Sequence, residues 1–150
     1  MARYLIIAYQ TAGSPELAER IRELVAEDPE AEFSLLVPAT PPSHLHTWEE
    51  GEARQLALRR GEQAAARLAA VGATVTAVRV GSHLPLDAVG DELYWHPGYA
   101  AIVLSTFPPG LSRWLKGDLP NQLRRRYRLP VHHVIAVPTR AVGTQEPTPA

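Results

Sequence analysis

Ser105 and Thr106 place two neighbouring hydroxyls at the end of an apolar segment. There they can bind a small polar ligand, or close a strand through side-chain-to-backbone hydrogen bonds. Neither is an activated nucleophile, because no histidine or carboxylate stands in a sequence relation that would let it take the proton. The G-x-S-x-G elbow is absent as well. With no cysteine in the chain, a thiol nucleophile, a thiolate zinc site, a cysteine-ligated cluster and a disulfide framework are excluded. The six histidines raise the question of a metal, with His44 and His46 forming an H-x-H pair and His132 and His133 adjacent. Neighbouring strand residues point to opposite faces, so His132 and His133 cannot ligate one ion. No spacing supplies the third protein ligand that zinc needs. The residues therefore assign neither a metal site nor a catalytic group. Arg124, Arg125 and Arg126, with Tyr127 and Arg128, form a basic strip of the kind that meets phosphate. Three consecutive helical positions spread over about 200°, which makes them the solvent face of a helix and not one cluster.

The elements that must position these groups follow from the hydrophobic pattern. Five short apolar segments occupy residues 4–9, 33–38, 74–80, 100–105 and 131–137. Most are continuously apolar, as strands covered on both faces are. Residues 74–80 differ: Val75, Ala77 and Arg79 alternate with Thr76, Val78 and Val80, which predicts an edge strand. Ser14 as N-cap and Pro15 at the first helical position open a helix whose inner face is Leu17, Ile21, Leu24 and Val25. A capping box from Thr47 to Glu50 opens a second helix, with Ala57, Gly61, Ala64, Leu68 and Val71 as its stripe and Gly72 ending it. A third helix fits residues 85–94, closed by Pro97 and Gly98, and a fourth starts near Asp118 and ends before Pro130. Its inner face is Leu119, Leu123 and Tyr127. Strands alternating with helices predict an α/β single domain with a parallel sheet and helices on both faces. The domain is expected over residues 1–138, with a mobile tail at 139–150. The loop 39–46, carrying Pro41 and Pro42, reads as a defined surface connection. Ligands of such sheets sit beyond the carboxyl ends of the strands, here residues 9–13, 37–40, 81–83 and 105–110.

The 150 residues are 45% apolar and 21% charged, which excludes disorder for the bulk of the chain. The net charge of −1 argues against a nucleic-acid binder. No apolar run reaches the roughly 18–20 residues that cross a bilayer, and the N-terminal apolar stretch is too short for a signal peptide. A cytoplasmic location is expected. The balance hides a split, with ten acidic and three basic residues from Ser14 to Arg54, against six basic and one acidic from Leu111 to Pro130. One face should therefore be electropositive.

The opening strand RYLIIAYQ, the Val80–Gly81 end of the third strand and the strand AAIVLST follow one another in a known order. After them come GLSRWLKGD and the closing LPVHHVIAV. Together, from Arg3 to Pro138, they resemble the universal stress protein family. The resemblance implies a five-stranded Rossmann-like sheet of order 3-2-1-4-5, a cytosolic protein and a homodimer. Many members bind ATP through glycine, two residues, glycine, nine residues, then glycine followed by serine or threonine. Glycines admit phosphate oxygens to backbone N–H groups, and the hydroxyl adds a bond at a helix start. Anchored on Gly117, the two earlier glycine positions fall on Leu104 and Phe107, the hydroxyl position on Asp118, and the usual aspartate after the first strand on Gln10. Gly110 can substitute inside a loop of altered shape. The resemblance thus places a binding site at Gln10, Thr11, Val37, Ser105, Thr106, Gly110, Arg113, Gly117 and Asp118.

Asp118 would cap the following helix by accepting its free backbone N–H groups. It would also repel a triphosphate, by about 1 kcal/mol at 4 Å in water and roughly 4 at intermediate dielectric. Arg113 and Lys116 lie near and oppose that. Phe107–Gly110 with Trp114 reads as a hydrophobic plug in the vacated nucleotide site, or as the lining of an apolar pocket or partner surface. Three functions stand on this reading. The first is a non-catalytic module without ordinary ATP binding or other cofactor, dimeric through the apolar fifth-strand edge VHHVIAV, with an unidentified protein as a further partner. The second is a sensor that binds ATP or AMP through Arg113, Lys116 and Gly117. The third is a slow nucleotide hydrolase.

Overall fold

The structure, a computed structural model, describes residues 2–39 and 50–138. Five strands form one sheet: β1 (Arg3–Ile7), β2 (Glu32–Pro38), β3 (Thr74–Gly81), β4 (Ala101–Thr106) and β5 (Val131–Ile135). The helices are α1 (Pro15–Glu27), α2 (Glu50–Ala70), α3 (Pro85–Trp95), the single turn α4 (Arg113–Lys116) and α5 (Leu119–Tyr127), with a 3-10 turn at Gln10–Gly13. Strand order is β3-β2-β1-β4-β5, every neighbouring pair parallel. This is the expected 3-2-1-4-5 sheet. The expectations on His44, His46, the Thr47 cap and the tail 139–150 fall outside the described residues.

Local chemistry explains why the elements begin and end where they do. The Ser14 hydroxyl accepts from Leu17 N at 3.1 Å and caps α1, whose Leu17, Ile21 and Leu24 are buried. Gly72 follows α2 with φ +98°, a conformation that favours glycine. At Gly61, in the middle of α2, an added Cβ would come within 2.6 Å of the Val78 side chain. The absence of a side chain lets that helix lie close against β2 and β3. On the other face α3 packs beside α5, while α1 packs beside α2. The central strands between them are buried, β4 along its whole length.

One detail corrects the pattern expected of the edge strand. The β2–β3 register shifts between Phe33 and Ser34, so that Phe33 pairs with Val75 and Ser34 with Ala77, leaving Thr76 as the extra residue. The bulge reverses the alternation beyond it. Val75 therefore shares a face with Val78 and Val80, and Ala77 with Arg79. Among the described residues no helix is long and apolar enough to cross a membrane.

Candidate functional site

The carboxyl ends of β1 and β4 meet at the top of the sheet, and the structure brings Thr11 and Ser105 together there. The Ser105 hydroxyl donates to Thr11 Oγ1 at 2.7 Å, and both residues are buried. Thr106, also buried, faces the opposite side of the sheet; its hydroxyl donates to the Phe107 carbonyl at 2.8 Å. With that proton assigned, Thr106 Oγ1 accepts from His133 Nε2 at 2.8 Å, which makes His133 the Nε2–H tautomer. These side chains are thus engaged with the protein itself. His132 points to the other face and meets the Tyr4 ring edge-on, centroids 6.2 Å apart. Among the described residues no group of three or more histidines or carboxylates is placed to hold a metal ion.

Burial pushes the His133 imidazole below its ordinary value of 6.5, and the Arg124 charge pushes it further the same way. The unfolded chain therefore takes up a proton that the folded chain refuses, so His133 removes stability as pH falls through and below that ordinary value. A His133→Gln variant should show a flatter fall in thermal midpoint between about pH 7 and about pH 5 than the parent chain. Equal slopes would assign the acid loss to other groups.

The remaining expected residues lie along the β4–α5 connection and on β2. Val37 is wholly buried near the end of β2, and its methyl would lie 3.1 Å from a Cβ at Gly61. It belongs to the packing of α2 on the sheet. Gly110 has φ +94°, a conformation that favours glycine, whereas Gly117 has φ −87° and ψ 6°, open to any residue. Ser112 caps α4 by accepting from Leu115 N at 3.3 Å. Arg113, Lys116, Gly117 and Asp118 are exposed.

Asp118 departs from its expected role. It has φ +57° and ψ +41°, and its carboxylate accepts no backbone N–H of α5. Side-chain capping needs an extended backbone at the cap residue, and the left-handed conformation turns the carboxylate aside. Asp118 Oδ1 accepts instead from Asn121 Nδ2 at 3.0 Å. The charge consequently stays uncompensated by the helix start and projects into solvent beside Gly117. Phe107 and Trp114 are both 9% exposed. The two rings therefore pack into the β4–α5 connection and are not presented to solvent.

One other polar cluster was not legible as site residues. Glu92 on α3 is buried, accepts from Arg79 Nε at 2.9 Å and from the Tyr99 hydroxyl at 2.7 Å. Burial pushes its carboxyl up, but the Arg79 and Tyr99 hydrogen bonds outweigh that and hold it below the usual value. Beside this pair, Arg54, Ser82, Trp95 and His96 rim a cavity of about 270 Å³ at the β3 edge. A charged residue in step with the apolar positions Ala88 and Val89 was the available signal. A broader groove of about 540 Å³ runs between α1 and β5. Gly81 and Ser82, at the expected strand end, line the first space, but none of the residues the resemblance places in the binding site lines either; Gln10 borders a smaller cavity of about 140 Å³ beside α2.

No family model matches the sequence, and none of the curated proteins matches it. Solved structures do match. A universal stress protein from Archaeoglobus fulgidus has a TM-score of 0.61 at 14% identity, covering 89% of this chain and 93% of that one. A universal stress protein in complex with cAMP has a TM-score of 0.56 at 20% identity, covering 90% and 97%. One from Arabidopsis thaliana with AMP bound has a TM-score of 0.52 at 14% identity, covering 98% and 99%. The chain has the universal stress protein fold.

Proposed function

We propose that this chain, built on that fold, is a non-catalytic binding and association module whose triphosphate cradle is closed. One observation carries the reading: Phe107 is buried in the loop that would have to open for a polyphosphate. The neighbouring Ser105 and Thr106 hydroxyls are engaged with Thr11, Phe107 and His133. The exposed Asp118 carboxylate beside Gly117 adds repulsion. Residues 1–138 act as one cytoplasmic domain. The module pairs through β5, whose outer edge has no strand beside it among the described residues and whose Ile135 is exposed. A second reading keeps an adenosine monophosphate-type ligand at the same strand ends, and the cAMP and AMP bound by relatives of this fold favour it.

Thermal shift separates the two. A ligand at 100 times its dissociation constant adds about 2.7 kcal/mol, which moves the midpoint of a chain this size by roughly 5–10 °C. Millimolar ATP should move it no further than inorganic phosphate does at equal ionic strength. A further rise with ATP overturns the closed cradle, and a rise with AMP or cAMP but not ATP selects the second reading. A single monomeric species in sedimentation at every concentration would rule out pairing through β5.

A further inference from the structure

The middle of α2 turns a row of side chains toward the 3-10 turn that follows β1. Arg60, Gln63, Ala64 and Arg67 recur at three- and four-residue steps and so share one stripe of the helix. With Tyr9, Gln10, Ala12 and Gly13 they enclose the cavity of about 140 Å³. Among the described residues its lining holds two guanidiniums and no carboxylate. Three other arginines have acidic partners: Arg20 with Glu23, Arg22 with Glu19 and Arg79 with Glu92. Among the described residues, neither Arg60 nor Arg67 is joined to a carboxylate.

The two guanidiniums are nevertheless held in place. Arg67 Nη1 donates to the Gly13 carbonyl at 2.7 Å. A Cβ on Gly13 would lie 3.1 Å from that same nitrogen, so the glycine lets the guanidinium close on the turn. Arg60 stacks over the Tyr9 ring, 5.0 Å from its centroid. The ring removes water from one face of the cation and fixes its plane. Arg60 Nε is buried and meets no acceptor. A buried donor on a cation is unfavourable unless something accepts from it. The planar fork of arginine matches tetrahedral oxyanions closely, and the space exceeds by about tenfold what one water needs.

We propose that this cavity binds a phosphate-type oxyanion between Arg60 and Arg67. The Arg60 guanidinium donates from one wall and the remaining N–H groups of Arg67 from the other, with the Gln63 amide within the same lining. The inference does not rest on nucleotide binding at the strand ends, because inorganic phosphate fills the site with no base attached. The oxyanion is either free phosphate or the phosphoryl group of a small ligand.

Titration calorimetry with inorganic phosphate at constant ionic strength tests it on the full chain. The parent chain should bind saturably. Arg60→Gln and Arg67→Gln should each weaken binding at least tenfold, while Arg125→Gln on α5 leaves it unchanged. The Arg67 side chain is exposed, so Arg67→Gln decides the matter even where Arg60→Gln disturbs folding. Absence of saturable phosphate binding, or binding unchanged in both α2 variants, overturns the proposal. AMP and adenosine distinguish the sources. Equal affinity for AMP and phosphate with adenosine silent identifies free phosphate as the ligand. Tighter AMP binding that both variants weaken identifies a nucleotide's phosphoryl group. AMP binding that neither variant weakens, with phosphate silent, overturns the oxyanion site and leaves the monophosphate reading standing.

Discussion

Replacing Arg79 by leucine should lower the thermal midpoint by roughly 6–12 °C, the equivalent of about 3 kcal/mol in a chain of this size. Glu92 is the reason. Its side chain is 3% exposed, against 35% for Arg79, so removing the cation leaves a carboxylate with little water to replace it. The Tyr99 hydroxyl still donates at 2.7 Å, so one of the carboxylate's hydrogen bonds survives and keeps the loss near the low end of the range for broken buried pairs. Changing both residues, Arg79→Leu with Glu92→Leu, should restore most of the stability, because no charge is then buried alone. The sign of the pH dependence is fixed by the same contacts. In the parent chain the Glu92 carboxyl lies below its ordinary value of 4.5, so its contribution is present above that pH and disappears as pH falls through the folded value. In Arg79→Leu the carboxyl protonates more readily, and the deficit relative to the parent chain should shrink on acidification. Thermal scans over a range of pH measure both. A deficit that grows with acid would contradict the role given to this pair.

The double change Phe107→Gly with Asp118→Ser should give ATP binding above whatever the parent chain shows under the same conditions. Glycine at 107 removes a buried ring from the loop and frees backbone N–H groups to approach oxygen. Serine at 118 removes a charge that opposes a triphosphate by about 1 kcal/mol at 4 Å in water and roughly 4 at intermediate dielectric. It also supplies the hydroxyl expected at that position. A midpoint rise of roughly 5–10 °C with saturating ATP, absent with adenosine, is the expected result. The variant begins from a lower midpoint, since it loses buried aromatic area. A folded double variant that ignores ATP would show that Phe107 and Asp118 are not what closes the cradle.

Much of this was readable because it is local. Ser14 followed by Pro15 set the start of α1, Gly72 ended α2 and the small stripe around Gly61 marked close packing on the sheet. Continuous apolar runs distinguished the covered strands from the edge strand β3. The hydroxyls Ser105 and Thr106 were correctly placed at the strand end, but their pairing with Thr11 and His133 was not. Neither was the turned-aside carboxylate of Asp118, which a residue type favouring caps had concealed. The bulge at Thr76 escaped as well, because one extra residue leaves no mark on a short alternating run.

Composition, hydrophobic period and cap residues determined the order of elements and the parallel sheet, since caps and apolar runs are each set within a few residues of chain. Tertiary structure alone decided which charges meet. Arg79 finds Glu92 thirteen positions away, and Arg67 finds the Gly13 carbonyl 54 positions away. Contacts at those separations depend on how helices settle on the sheet, and packing, with no periodic trace in the sequence, selects the side chains that face one another.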